Sequence, residues 1–148
     1  MSDPLLIPCP ACATRNRVPR DEIVRGRQPV CGRCKAPLPV DARPVEVTDA
    51  TFSTLVERSP LPVLLDLWAP WCEPCRMIAP VLEALAAEMA GRVRFAKLNV
   101  DDNPSTASHF HVQGIPTLLI LKGGQEVDRI VGVQPRSEII RRLERVAA

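Results

Sequence analysis

Six cysteines carry most of the chemistry in this chain, and they fall in three pairs of identical spacing: Cys9/Cys12, Cys31/Cys34 and Cys72/Cys75. Two residues between thiols form a tight turn that aims both sulfurs at one target, either a metal ion or each other. Cys9-Pro-Ala-Cys12 and Cys31-Gly-Arg-Cys34 are separated by 18 residues, within the roughly 15–20 that join the halves of a four-thiolate site. Pro10 and Gly32 suit such turns. Four thiolates close the shell of a single Zn²⁺, so the expected role is structural, with iron as a minor alternative. Two disulfides or four free thiols are the competing arrangements. Haem attachment is not supported, because no His follows either pair.

The third pair differs in its surroundings. Trp71-Cys72-Glu73-Pro74-Cys75 lies where the apolar run from Leu61 to Trp68 gives way to a stretch rich in Ala, Leu and Glu. That places Cys72 at a helix start, where free N–H groups and the helix dipole favour a thiolate. Cys75 falls one turn in, is expected to be more buried, and stays a thiol until needed. Cys72 then attacks a substrate disulfide, and Cys75 resolves the mixed disulfide. A second metal site is disfavoured, since His109 and His111 are the only spare ligands and read as surface residues after a short helix.

The elements that must position these cysteines separate into two regions. At 148 residues, 46% hydrophobic and 24% charged, the chain suits one domain with a small appendage. A net charge of +2 excludes a molecule built wholly as a polyanion binder. Residues 1–43 carry a net +4 and residues 44–148 a net −2. The first region is Pro-rich and lacks aromatics and helical periodicity. It is too short for a self-sufficient core and is expected to need its metal. Pro37-Leu38-Pro39-Val40-Asp41-Ala42-Arg43-Pro44 reads as a stiff linker, which puts the boundary near residue 43. Arg15, Arg17, Arg20, Arg25, Arg27 and Arg33 form a basic cluster without interleaved aromatics, so a solvated surface is expected rather than a nucleic-acid face.

In the second region Val45–Val47 predicts a short strand, and Thr48 or Asp49 caps a helix over roughly 51–58. The run 61–68 is a central strand, continuous in apolar residues because both faces are covered. A helix follows from Cys72 to Ala90, closed by Gly91 and kinked by Pro80. Strands are expected at 92–100, 117–122 and 126–131, the last two joined at Gly123-Gly124, with helices at 104–110 and 137–146. This order gives an α/β mixed sheet with helices on both faces. The N-terminus lacks signal-peptide features, and no apolar run approaches a membrane span. A reducing cytoplasm is the expected compartment, with no membrane partner.

Leu65-Asp66-Leu67-Trp68-Ala69-Pro70-Trp71-Cys72-Glu73-Pro74-Cys75-Arg76 resembles the active-site strand and helix of thioredoxins, whose usual motif is WCGPC. Lys97–Asp101 resembles the next strand, Gly114-Ile115-Pro116-Thr117 the cis-proline loop, and Val131-Gly132-Val133 the late glycine near the active site. The resemblance covers about residues 45–147, in order and at family spacing. The four N-terminal cysteines resemble the zinc appendage of the bacterial thioredoxin-2 subgroup.

The resemblance implies a thioredoxin fold with a zinc-ribbon-like segment, acting as a protein-disulfide reductase. Asp66 is implied as the buried carboxylate behind Cys75, with Lys97 modulating it, and its apolar neighbours should raise its pKa. A cis Pro116 would let the Ile115 backbone pair with an extended substrate. Trp71, Ile115, Gly132 and Val133 would form the apolar docking rim beside Glu73 and Pro74, whereas Trp68 reads as core. Protein disulfides are the implied substrates, a pyridine-nucleotide-dependent thioredoxin reductase the implied partner, and a monomer the expected state. Glu73 departs from the family glycine, and its charge opposes a Cys72 thiolate while favouring the helix start. Two other classes remain open: a zinc-dependent redox-sensing or client-binding module, and an oxidase or isomerase of the same fold.

Overall fold

The computed structural model describes residues 4–19, 21–22, 25, 27–38 and 40–147. Arg20 of the basic cluster and Pro39 of the linker lie outside them. Two short strands, β1 (Leu5–Pro8) and β2 (Arg15–Val18), pair as an antiparallel hairpin that the sequence reading did not anticipate. Its inward residues Leu5, Ile7 and Val18 join Leu38, Val40, Cys9 and Cys31 in a small core that leans on Ala90 of the second region. The appendage therefore does bury apolar surface, but part of that core belongs to its neighbour.

The larger sheet contains β3 (Val45–Glu46), β4 (Val63–Trp68), β5 (Arg94–Asn99), β6 (Thr117–Lys122) and β7 (Gln125–Val131) in the order β3-β5-β4-β6-β7. β3, β5 and β4 run parallel, while β6 and β7 are antiparallel to their neighbours. β4 is central, and Val63 to Leu67 are all buried. Alternation sends Leu64 to one face, with the core of α1 (Glu73–Glu88) and α3 (Arg136–Ala147). Val63, Leu65 and Leu67 point to the other, against α2 (Pro104–His109) and the segment around Phe52 and Leu55.

Helix 51–58 is expected from the sequence, but the structure instead has a single wide π-type turn, Ser53–Glu57, with Arg58 N–H reaching Ser53 O at 3.0 Å. Thr48 and Thr51 cap that turn reciprocally, each backbone N–H donating to the other's hydroxyl at 2.9 and 3.2 Å. Asp49 is used elsewhere. Its carboxylate accepts the N–H groups of Ser105 and Thr106 and so caps α2 from a distance of more than fifty residues in sequence. α1 runs unbroken through Pro80 and ends at Glu88, before the predicted Ala90.

Candidate redox site and metal cradle

β4 delivers the chain to Ala69, and the turn after it makes Cys72 the N-cap of α1, with Glu73 and Pro74 opening the first turn. Proline fits there because the first helical N–H groups have no intrahelical partner to lose. Cys72 and Cys75 form a disulfide with Cα atoms 5.3 Å apart, and Cys72 Sγ accepts the Cys75 backbone N–H at 3.2 Å. Ala69 and the partly buried Trp68, Val100 and Ile115 pack around the pair. Both cysteines are buried, so the expected contrast between an open Cys72 and a covered Cys75 is absent in the disulfide form. Ile115 supplies the cover: its carbonyl oxygen lies 3.9 Å from Cys72 Sγ.

The Ile115–Pro116 peptide is cis. Pro116 O accepts the Gly132 N–H at 2.9 Å, which brings the end of β7 beside the same loop. Gly132 adopts φ +82°, a conformation that suits glycine. Around this junction Trp71 is 67% exposed and Val133 45%, a large apolar area for solvent to meet. Trp71 Nε1 donates to both carboxylate oxygens of Asp101 at 3.0 and 3.2 Å, a contact the sequence reading missed. The sequence carries no signal for it: the contact arises because the parallel pairing of Trp68 with Asn99 brings both strand ends to one edge.

Asp66 lies opposite Lys97 in the β4–β5 register, nearly fully buried. Its Oδ1 has no hydrogen-bond partner among the described residues, nor has Trp68 Nε1. Burial pushes the Asp66 carboxyl up to about 7, against the opposing pull of the Lys97 charge. The Lys97 ammonium itself sits 5.7 Å from the centre of the Trp68 ring. A carboxyl titrating near neutrality can both take and return a proton at physiological pH. It projects to the sheet face that α1 covers, the same helix that holds Cys75 on its buried side.

The other four cysteines are built as two matching loops. Cys9 Sγ accepts the Ala11 N–H and Cys31 Sγ the Arg33 N–H, each at 3.4 Å. Ala13 and Lys35, each just after the second cysteine of its pair, take φ +65° and +66°. Their N–H groups return to Cys9 O and Cys31 O at 2.8 and 3.0 Å. All four Sγ atoms lie within 4.8 Å of one another, with Cys9 to Cys34 at 3.5 Å and Cys12 to Cys31 at 3.7 Å. Tetrahedral ligands at about 2.3 Å from a metal stand about 3.8 Å apart, so this donor set fits one ion. Backbone N–H groups at the sulfurs, that of Cys34 foremost, draw Cys31 down to about 6. The Thr14 hydroxyl beside Cys12 lowers that thiol too. Both shifts favour thiolates, the form that binds metal, whereas Cys34 is pushed up to about 11, the Ala36 backbone lowering it but the Cys9, Cys12 and Cys31 thiols and burial outweighing that.

A disulfide capping a helix beneath a mixed sheet, faced by a cis-proline loop, defines a thiol–disulfide oxidoreductase. The family model described as Thioredoxin matches residues 43–145. A protein named Thioredoxin from Synechocystis sp. is 50% identical over 100 residues, covering 68% of this chain and 94% of its own. Thioredoxin of Mycobacterium tuberculosis is 52% identical over 102 residues, 69% of this chain and 88% of its own. That of Haemophilus influenzae is 52% identical over 95 residues, 64% and 89% respectively. The chain belongs to the thioredoxin family, and its Cys72–Cys75 pair is that of a protein-disulfide reductase.

Proposed function

We propose that residues 44–148 form the reductase domain, with Cys72 as nucleophile and Cys75 as resolving thiol, and that residues 1–43 form an appendage holding one structural Zn²⁺. In the dithiol form the Cys72 thiolate attacks a client disulfide, forming a Cys72–client bond and releasing one client thiolate. Asp66 takes the Cys75 proton. The Cys75 thiolate then attacks Cys72, freeing the second client thiolate and restoring the Cys72–Cys75 disulfide, so two electrons pass to the client. Lys97 steadies the Asp66 carboxylate by charge. Ile115 and the cis Pro116 seat the client backbone, flanked by Trp71, Gly132 and Val133, while Glu73 and Pro74 border the attacking sulfur.

The observation that carries this reading is the helix-start disulfide, with a buried Asp66 whose Oδ1 is unpartnered on the sheet face that α1 covers. Cys9, Cys12, Cys31 and Cys34 would hold the zinc, which supplies no reactive position when all four sites are thiolate. The natural reductant is a pyridine-nucleotide-dependent thioredoxin reductase, and the setting a monomer in the cytoplasm. Among the described residues no helix is long and apolar enough to cross a membrane. The test is reduction of insulin disulfides with NADPH and thioredoxin reductase. Steady turnover is expected, with a potential near −270 mV, and values nearer about −180 or −120 mV would indicate an isomerase or oxidase instead.

A further inference from the structure

We propose that the N-terminal appendage takes part in the proton handling of the redox site: its chain before β3 forms the outer wall of the cleft through which Asp66 reaches solvent. A cavity of about 1060 Å³ lies between the two regions. Its inner side presents Asp66 of β4, Lys97 of β5 and Glu83 of α1, and its outer side Arg25, Arg27, Asp41 and Arg43. β6 places Leu118 opposite Asp66 and adds no charge there.

The wall is fixed in place. Arg94 Nε donates to Asp41 Oδ2 at 3.1 Å, and its other arm donates to Leu55 O at 2.9 Å. Gln28 Nε2 ties the loop to the linker through Leu38 O at 2.9 Å, and Val40 is buried in the core shared with Ala90. Arg27 is engaged by Glu22 and Arg25 by Asp21. Arg43, Lys97 and Glu83 therefore face the cleft without an ion-pair partner among the described residues. A buried carboxyl with an unpartnered oxygen exchanges its proton through whatever water reaches it, and its midpoint follows that water and the charges around it. The appendage bounds the cleft and contributes charges to it, Arg43 among them without an ion-pair partner among the described residues.

This rests on Asp66 acting as the base for Cys75, and two kinds of variant separate the two ideas. The full-length, zinc-loaded, oxidised protein is titrated by NMR of isotope-labelled Asp carboxyls, alongside the pH profile of insulin reduction. Asp41→Ala releases the wall and wets Asp66, so its midpoint is expected to fall by about half a pH unit or more. Arg43→Glu leaves the Arg94 latch intact and reverses a facing charge, so the midpoint is expected to rise by roughly 0.2–0.5 units, which keeps the test decisive if Asp41→Ala fails to fold. The rate inflection should move with each midpoint, plateau rates should stay within about twofold, and Asp41→Glu should restore the original value. Midpoints within about 0.1 unit of the parent in both variants would overturn the proposal. If the inflection survives Asp66→Asn, the base assignment itself fails. If it disappears there while the wall variants change nothing, only the wall does.

Discussion

The two metal-cradle loops and the redox turn share one pattern, two cysteines with two residues between, yet the chain does opposite things after the second cysteine. In the cradle Ala13 and Lys35 enter the left-handed region and turn the chain back on itself, so each pair presents its sulfurs outward to a common centre. Cys75 instead lies inside a sixteen-residue helix that began at Glu73 and runs on to Glu88, and the two sulfurs are bonded to each other. The cradle draws N–H groups onto Cys31 and has other thiols as neighbours. The redox pair has a protonatable carboxyl on the sheet face its helix covers. Spacing brings two sulfurs together; the backbone that follows decides whether they turn toward a second pair or close on each other.

The largest expected contrast comes from replacing one sulfur in each place. Cys72→Ser should lower insulin-reduction turnover by at least about a thousandfold, since no second nucleophile stands at the helix start. Cys31→Ser should leave turnover largely intact while atomic absorption finds bound zinc falling well below one per chain. It should also strip hydrogen-exchange protection from β1 and β2, whose core includes Cys31. Equal losses of turnover in both variants would dissolve the distinction.

Asp66 offers the next largest effect. An unfolded Asp titrates near 3.9, whereas Asp66 titrates near about 7. Between those values the folded state keeps a proton that the unfolded chain has lost, so stability falls as pH rises through the window. Asp66→Asn removes that penalty. Calorimetry at pH 8 should show a gain on the order of 4 kcal/mol that fades toward pH 4. A gain independent of pH would mean the carboxyl is not strained by burial.

Smaller effects probe the turns themselves. Glu73→Gly should lower the Cys72 thiolate midpoint by a few tenths of a unit, read from ultraviolet thiolate absorbance, because it removes a like charge from the helix start. Ala13→Gly should stabilise the zinc-loaded appendage by a few tenths to about 1 kcal/mol in a denaturant titration, since alanine is strained at positive φ. A loss of stability there would show that the cradle backbone tolerates a side chain at that angle.

Most of the reductase region was legible because its elements carry strong local signals. The apolar run of β4, the Gly123-Gly124 hairpin and the amphipathic face of Ile139 and Leu143 each state their own structure. The cysteines were equally readable from spacing. What escaped depended on partners distant in sequence. The β1–β2 hairpin rests on two four-residue strands, in which Leu6 points outward beside buried Leu5 and Ile7. Asp49, a candidate cap for the segment at 51–58, instead caps α2 more than fifty residues away and leaves Thr48 to the turn at Ser53–Glu57. The Trp71–Asp101 contact and the cleft at Asp66 exist only once strands or regions are assembled.

Gly91 has a consequence for anyone moving this appendage to another scaffold. It turns at φ +84°, and a Cβ there would overlap Leu5 Cδ1 of the appendage. The seat is thus a notch: a recipient with a side chain at that position would strain its own backbone at that angle and force Leu5 to turn aside. How well the four-cysteine segment seats on another host thus depends on one methyl group missing from the surface beneath it.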